Sequence, residues 1–202
     1  MNIANPSYIK GLKKLCQKNG ILLIFDEVQS GFGRTGKLFA YELYKTKPDI
    51  MTMAKALGGG VAIGAMASTN RVMKSFVPGT HAATFGGNPL ACSAALASLK
   101  VITGKTFLNK VTATGIYFLK RLQEIARKNP IVQEARGAGM FLALELDQPG
   151  HEIVIDCMKQ GFLINCIQQN VLRFIPPLTI SRQDIDSLIS VLSDSLTKLN
   201  DK

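Results

Sequence analysis

Residues 21–29 read ILLIFDEVQ, an apolar run of five residues that ends in two acids. Such a run is typical of a strand that is buried on both faces of a parallel sheet. Ligands of open α/β sheets sit beyond the carboxyl ends of such strands. We therefore expect Asp26 to lie at the ligand-binding edge of an α/β sheet, where it either binds a ligand or braces the following loop. Asp26 alone does not decide between these two interpretations.

A second stretch, residues 52–60, reads TMAKALGGG and places one lysine among small and apolar residues. We expect Lys55 to lie away from solvent at the end of a neighbouring strand, where desolvation makes an amine a better nucleophile. A lysine that extends from a strand end into solvent is the alternative. The glycines that follow favour a ligand site because they let the backbone approach a ligand closely, although a simple turn would also use them.

An acid and an amine at neighbouring strand ends match one kind of cofactor chemistry. The amine can form a Schiff base with an aldehyde, and the acid can hold a protonated ring nitrogen. These two groups are what a protein supplies to pyridoxal phosphate (PLP). Asp26 and Lys55 together therefore predict a PLP site.

Helix and strand patterns alternate along the first half of the chain. Ser7 is the predicted N-cap of a first helix, which Asn19 and Gly20 end. Further strands are predicted at 49–53 and 61–67, and helices at 38–44, 70–76, 89–102 and 107–128. In the second half, strands are predicted at 139–146, 162–165 and 171–175, and helices at 152–160 and 183–199. The prediction is an α/β fold with a mostly parallel sheet in residues 1–104, followed by a linking helix and a small α+β domain in residues 105–202.

Composition narrows the class of protein. The net charge is +10, but the basic residues are dispersed and are not interleaved with aromatic residues, which favours solvated helix faces over a nucleic-acid groove. No apolar span is long enough for a membrane helix, and the start lacks the pattern of a signal peptide. Four cysteines without a Cys-x-x-Cys pair favour reduced thiols in a cytoplasmic protein. His81 and His151 lack metal-ligand spacing with these cysteines, so we expect no metal site.

Several separated motifs carry a resemblance to a known family. They are DEVQSGFGRTG at 26–36, PDI at 48–50, AKALGGG at 54–60, TFGGNPLAC at 84–92 and LRFIPPL at 172–178. In this order they resemble the class III PLP-dependent aminotransferases, and within them the acetylornithine and ornithine aminotransferases. The resemblance implies the fold of the type I PLP-dependent transferases.

The resemblance implies a cofactor role for four residues near the two strand ends. Lys55 would be the Schiff-base lysine and the carrier of the transferred proton. Asp26 would bond the pyridine nitrogen, Val28 would pack against one face of the ring, and Gln29 would bond the phenolic oxygen of the cofactor. For Val28 a plain core position, and for Gln29 a loop-bracing amide, are the alternatives.

Two further residues gain a role from the resemblance alone. Thr84 would reach the cofactor phosphate of a neighbouring subunit, and Arg173 would hold the α-carboxylate of the substrate with its bidentate fork. Without the resemblance, a turn residue and a surface arginine would be the preferred interpretations. Glu27 is expected to have a structural role, and Arg34 either has a site role or only braces its glycine-rich loop.

The implied reaction is transfer of an amino group between acetylornithine or ornithine and 2-oxoglutarate, as in arginine biosynthesis. Another ω-amino acid or diamine aminotransferase activity, or an inactive fragment that serves only as a structural subunit, are the alternatives. The resemblance covers the carboxy-terminal half of the family's chain, and we find no glycine-threonine loop to cradle the cofactor phosphate. We therefore expect weak PLP binding by the chain alone, and either a homodimer or a complementary amino-terminal chain as partner.

Overall fold

The computed structural model describes residues 2–104 and 106–200. The described residues divide into two compact units, one of Ala4–Leu108 and one that combines residues 2–3 with residues 109–200. The predicted domain junction falls at Lys105, which lies outside the described residues. The assignment of the two parts to the large and small domains of the family stays a prediction.

The first unit contains a three-stranded sheet in the order β1–β2–β3. Strand β1 pairs in parallel with β2, and β2 pairs antiparallel with β3. The α/β class is thus as predicted. The predicted parallel arrangement holds for β1 and β2, whereas β2 and β3 are antiparallel. Besides a 3-10 helix at Lys55–Gly58, the elements are α1 (Pro6–Lys18), β1 (Ile24–Asp26), α2 (Tyr41–Tyr44), β2 (Ile50–Met53), β3 (Ala65–Ser68), α3 (Asn70–Met73) and α4 (Pro89–Ile102).

Helix α4 has the predicted bounds, and the start of α1 corrects a prediction. The Asn88 side chain caps α4 by accepting from the Ala91 N–H at 2.9 Å, and Pro89 occupies the first helical turn. At α1 the N-cap is Asn5, not Ser7, because Pro6 already begins the helix and Asn5 Oδ1 accepts from the Ser7 N–H at 2.9 Å. Asparagine and serine are comparably good N-caps, so the position of the proline decides.

Strand β1 is shorter and less covered than the apolar run predicts. It starts at Ile24, and the side chains of Ile21 and Ile24 are 57% and 55% exposed. The prediction of a strand buried on both faces is therefore wrong for this chain. The physical reason is that the faces of a strand are buried by elements that pack onto the sheet, and the described elements leave the Ile24 side chain exposed.

An ion pair anchors α1 to the start of β2. Asp49 Oδ2 accepts from Lys13 Nζ and from the Leu23 N–H, each at 2.9 Å, and the Asp49 side chain is largely buried. The hydrogen bond from Lys13 is the largest cause that lowers the pKa of Asp49, followed by the bond from Leu23.

This ion pair predicts a pH-dependent stability. Because the pKa of Asp49 is lower in the folded state, its stabilisation is complete above the unfolded pKa of about 3.9 and is lost as the pH falls through the folded value. We expect Asp49→Asn to lower the free energy of unfolding by about 1 kcal/mol at pH 7 and by less at pH 3. Urea denaturation at both pH values measures this, with Asp194→Asn on an exposed position as control. An equal loss at both pH values would contradict the assignment.

The second unit is built on a four-stranded antiparallel sheet in the order β4–β5–β7–β6. Its core contains fully buried side chains of the sheet and of three helices, among them Phe118, Leu142, Leu172 and Leu192. The remaining elements are α5 (Phe107–Lys128), β4 (Val132–Ala138), β5 (Phe141–Leu146), α6 (His151–Lys159), β6 (Asn165–Ile167), β7 (Val171–Phe174) and α7 (Arg182–Asn200).

Two strands of this sheet differ from the prediction. Strand β4 was not predicted, because an edge strand that reads VQEARGA lacks a clear apolar alternation. Strand β6 occupies Asn165–Ile167 rather than residues 162–165, since its register is set by pairing with β7. None of the described helices is both long and apolar enough to cross a membrane.

Candidate active site

The structure places Asp26 and Lys55 at the same edge of the first sheet. Asp26 is the last residue of β1 and pairs in register with Thr52 of the parallel strand β2. Lys55 follows the end of β2 and begins the 3-10 helix. The acid and the amine therefore lie at the carboxyl ends of neighbouring parallel strands, where ligands of α/β sheets bind.

The Asp26 carboxylate is held by two donors from different elements. Its Oδ1 accepts from the Val28 N–H and from Thr52 Oγ1, each at 3.0 Å. The Val28 bond is the largest cause that lowers the pKa of Asp26, the Thr52 bond is next, and the charge of Lys55 adds to them. An acid directly after an apolar run is expected to be buried, but the Asp26 side chain is exposed at the open end of the edge strand β1.

Lys55 lines an open cavity of about 910 Å³. Gly60, Ile63, Phe85 and Asn88 contribute to the same lining. Lys55 itself is exposed rather than buried, because no described element of this chain closes the cavity above it. Its backbone is left-handed, with a φ of 47°, a conformation that costs a non-glycine residue about 1 kcal/mol and that is frequent at functional sites.

The three glycines after Lys55 have separate roles. A Cβ atom at Gly58 would meet Ile63 Cγ2 at 2.9 Å, and one at Gly59 would collide with Ser98 Oγ of α4. These two glycines therefore allow close packing within the chain rather than close approach to a ligand. Gly60 lines the cavity, and a Cβ there would meet nothing within 4 Å.

The remaining residues with a predicted cofactor role lie in turns. Val28 and Gln29 directly follow Asp26 and are half-buried. Thr84 lies in an exposed turn before α4, and its neighbours Ala83 and Phe85 line the cavity while Thr84 does not. The Val28 N–H donates to the Asp26 carboxylate, and the cofactor roles of Val28, Gln29 and Thr84 stay predictions.

Arg173 lies on β7 of the second unit. It pairs in register with Asn165 of β6, and Arg173 Nε donates to Asn165 Oδ1 at 3.0 Å. The side chain is half-buried, and this bond leaves the two terminal nitrogens of the guanidinium for another partner. The sequence predicts Asn165 only as the last residue of a strand. Its contact with Arg173 depends on the register between β6 and β7, which the sequence pattern does not reveal.

The predicted structural role of Glu27 is confirmed. Glu27 is 1% exposed, and its carboxylate accepts from the Ser30 hydroxyl at 2.6 Å, the Ala40 N–H at 2.9 Å and the Tyr41 N–H at 2.8 Å. It thereby joins the loop after β1 to the start of α2. Arg34 lies half-buried in the same loop, and burial lowers its pKa.

We expect Glu27→Gln to lower the free energy of unfolding by about 2–3 kcal/mol. The glutamine amide replaces one acceptor oxygen by an NH₂ group. This NH₂ donor would face the N–H of Ala40 or Tyr41, and both buried groups would lack an acceptor. Urea denaturation is the measurement, and Glu134→Gln, at an exposed carboxylate paired with Arg136, should cost less than about 1 kcal/mol. Equal effects of the two substitutions would contradict the role of Glu27.

The fold matches solved structures of an aminotransferase and a transaminase. One is the ornithine aminotransferase from Toxoplasma gondii, whose structure shows PLP at partial occupancy in its active site. The match has a TM-score of 0.92 at 33% identity and covers 100% of this chain and 50% of that one. The transaminase from Arthrobacter sp. matches with a TM-score of 0.93 at 25% identity, over 99% of this chain and 49% of that one.

Sequence relatives define the family. Residues 1–196 match the aminotransferases of class III. The chain is 46% identical to the acetylornithine aminotransferase of Methanocaldococcus jannaschii over 98% of its own length, and 41% identical to the ornithine aminotransferase of Oceanobacillus iheyensis over 96%. The chain belongs to the class III aminotransferase family. It spans about half the length of these relatives, 50% and 49% respectively.

Proposed function

We propose that this chain is part of a PLP-dependent aminotransferase that moves an amino group between acetylornithine or ornithine and 2-oxoglutarate. The observation that carries the proposal is the placement of Asp26 and Lys55 at the carboxyl ends of two parallel strands. Relatives named acetylornithine and ornithine aminotransferase support the choice of substrate. A cytoplasmic location and a role in arginine biosynthesis follow from the same proposal.

The residues around the two strand ends fit the cofactor. The cavity beside Lys55, at about 910 Å³, has the size of a cofactor site, and Lys55 is one of its lining residues. Asp26 Oδ1 already has two donors, and no other described residue donates to Oδ2, so Oδ2 is available to a ring N–H. Bound PLP supplies an electron sink for the electron pair released when a substrate C–H bond breaks.

Each residue then has a defined task. The Lys55 amine would hold the cofactor and would then be the group that takes up and returns the transferred proton. The Asp26 carboxylate would keep the ring nitrogen protonated, and its lowered pKa favours the charged form that this role requires. Val28 would pack on one face of the ring, Gln29 would bond the phenolic oxygen, and Thr84 would bind the phosphate held by a neighbouring subunit.

Arg173 is proposed to bind the α-carboxylate of the substrate. Its Nε is engaged by Asn165, so the two terminal nitrogens present the fork that matches a carboxylate. A planar, permanently charged group suits this task better than a lysine amine.

An activity assay tests the proposal. This chain is combined with the part of the Methanocaldococcus jannaschii relative that lies outside the aligned region, PLP is added, and glutamate formation from 2-oxoglutarate is followed. Acetylornithine, ornithine and a plain diamine are compared as donors. Turnover with acetylornithine or ornithine supports the proposal, and turnover with the diamine alone favours another class III activity. No turnover with any donor, in a complex that forms, rejects the enzymatic role.

One observation favours a second candidate, a structural subunit without activity. Lys55 and Asp26 are both exposed in this chain. Under this alternative the chain would bind a partner chain without PLP-dependent turnover. The assay above separates the two, because it measures complex formation and turnover in the same sample.

We propose that the chain associates through the edge of its first sheet, either as a homodimer or with a complementary chain. The exposed side chains of Ile21 and Ile24 lie at this edge. We expect Ile24→Lys to shift the chain towards the monomer in size-exclusion chromatography with light scattering, because a lysine opposes pairing at a sheet edge. Leu163→Lys, at an 88% exposed position in the second unit, should leave the mass unchanged. A monomeric unsubstituted chain that binds no hydrophobic dye would contradict this proposal.

A further inference from the structure

Thr52 contacts the acid of the proposed site from the neighbouring strand β2. Its hydroxyl donates to Asp26 Oδ1 at 3.0 Å, and the Val28 N–H donates to the same oxygen at the same distance. No described residue donates to the other oxygen, Oδ2. The two oxygens of the Asp26 carboxylate are therefore not equivalent, because both donors bind Oδ1.

The register of β1 and β2 places the Thr52 hydroxyl beside the Asp26 carboxylate. Thr52 is the parallel-strand partner of Asp26, and strand pairing also joins their backbones, since the Glu27 N–H donates to the Thr52 carbonyl at 3.0 Å. Threonine is branched at Cβ and therefore has few χ1 rotamers, which fixes the hydroxyl once the strand is formed. The Val28 donor comes instead from the turn after β1, so two separate elements define the orientation of the carboxylate.

We infer that Thr52 is a positioning residue for Asp26. Its hydroxyl holds Oδ1 against β2 and so leaves Oδ2 as the oxygen that accepts the N–H of a bound pyridine ring. The inference rests on the proposed function, because it concerns how the acid of that site is aimed. Without the hydroxyl, the Val28 N–H alone would restrain the carboxylate, which would then exchange its two oxygens more freely.

The charges around Asp26 are consistent with this role. A donor hydroxyl favours the charged carboxylate, and the Thr52 bond is the second largest cause that lowers the pKa of Asp26, after the Val28 bond. Lys55 is the one charged group among these causes, and it acts in the same direction. Removal of the hydroxyl should therefore raise the pKa of Asp26 and leave the contributions of Val28 and Lys55 in place.

The test is a titration of Asp26 in the full chain without cofactor, followed by the ¹³C chemical shift of labelled aspartate carboxyls. The Asp26 signal is assigned by its loss in Asp26→Asn. Thr52→Val and Thr52→Ala remove the hydroxyl, and Thr52→Ser keeps it. We expect the midpoint of Asp26 to move upward in the first two variants and to stay at the unsubstituted value in Thr52→Ser.

Asp49 provides a control for folding of the first unit within the same spectra. Hydrogen bonds from Lys13 and from the Leu23 N–H lower its pKa, and they should do so equally in all variants. If Thr52→Val disturbs the sheet, Thr52→Ala decides the outcome. An unchanged Asp26 midpoint in a folded Val or Ala variant would overturn the inference. So would a Thr52→Ser variant that titrates like Thr52→Ala. Because no cofactor or substrate is present, these outcomes are separate from failure of the proposed function.

Discussion

Substitution of Lys55 by alanine is expected to remove amino-group transfer from the assembled enzyme. The variant loses both the amine that attaches the cofactor and the base that moves the substrate proton, and general base catalysis alone contributes about 10²–10⁴-fold. We therefore expect kcat to fall by about 10³-fold or more. Lys55 is exposed and makes no hydrogen bond that stabilises the described part of the fold, so the free energy of unfolding should change little.

The matched control for this prediction is Lys100→Ala. Lys100 is an exposed lysine on α4 of the same unit, outside the lining of the cavity. It should keep the turnover of the unsubstituted enzyme within about twofold, since isolated surface charges contribute little. A Lys55→Ala enzyme that keeps more than a tenth of the activity would show that another group carries the proton.

The second large effect is expected at Arg173. We expect Arg173→Gln to lower kcat/KM for 2-oxoglutarate by about 10²–10³-fold, which corresponds to about 3–4 kcal/mol, because a charged bidentate contact with a carboxylate is lost. Arg173→Lys keeps the charge but not the fork, so a smaller loss of about tenfold is expected. Steady-state kinetics with varied 2-oxoglutarate measures both.

A surface arginine serves as control for Arg173. Arg127 is exposed near the end of α5, and Arg127→Gln should leave kcat/KM within about twofold. If Arg173→Gln lowers kcat alone and leaves KM for 2-oxoglutarate unchanged, the proposed contact with the substrate carboxylate is wrong. If Arg173→Lys is as inactive as Arg173→Gln, the planar fork rather than the charge is the decisive feature.

Local signals in the sequence predicted the parts of the fold that depend on neighbouring residues. The start of α4 is determined by Asn88 and Pro89, which lie next to each other, and its end by the loss of apolar periodicity after Ile102. The positions of Asp26 and Lys55 at strand ends were likewise predictable, because each follows a short apolar segment. In both cases the determining residues lie within a few positions of the feature.

Features that depend on distant pairing were not predictable in this way. The burial expected of Lys55 came from its apolar neighbours in sequence, but exposure depends on which elements cover the cavity in space. The contacts of Thr52 with Asp26 and of Asn165 with Arg173 arise from strand register, which a single sequence does not specify. The residues proposed to aim Asp26 and Arg173 were therefore found only in the structure.

Chemical trapping of Lys55 tests the central claim most directly. The assembled enzyme is incubated with PLP, reduced with borohydride, digested and analysed by mass spectrometry. We predict that one pyridoxyl phosphate group is attached at Lys55, that an excess of amino donor added before reduction prevents the attachment, and that Lys100 remains unmodified. Attachment spread over surface lysines, or the same yield in Lys55→Ala, would contradict the assignment of Lys55 as the cofactor-binding residue.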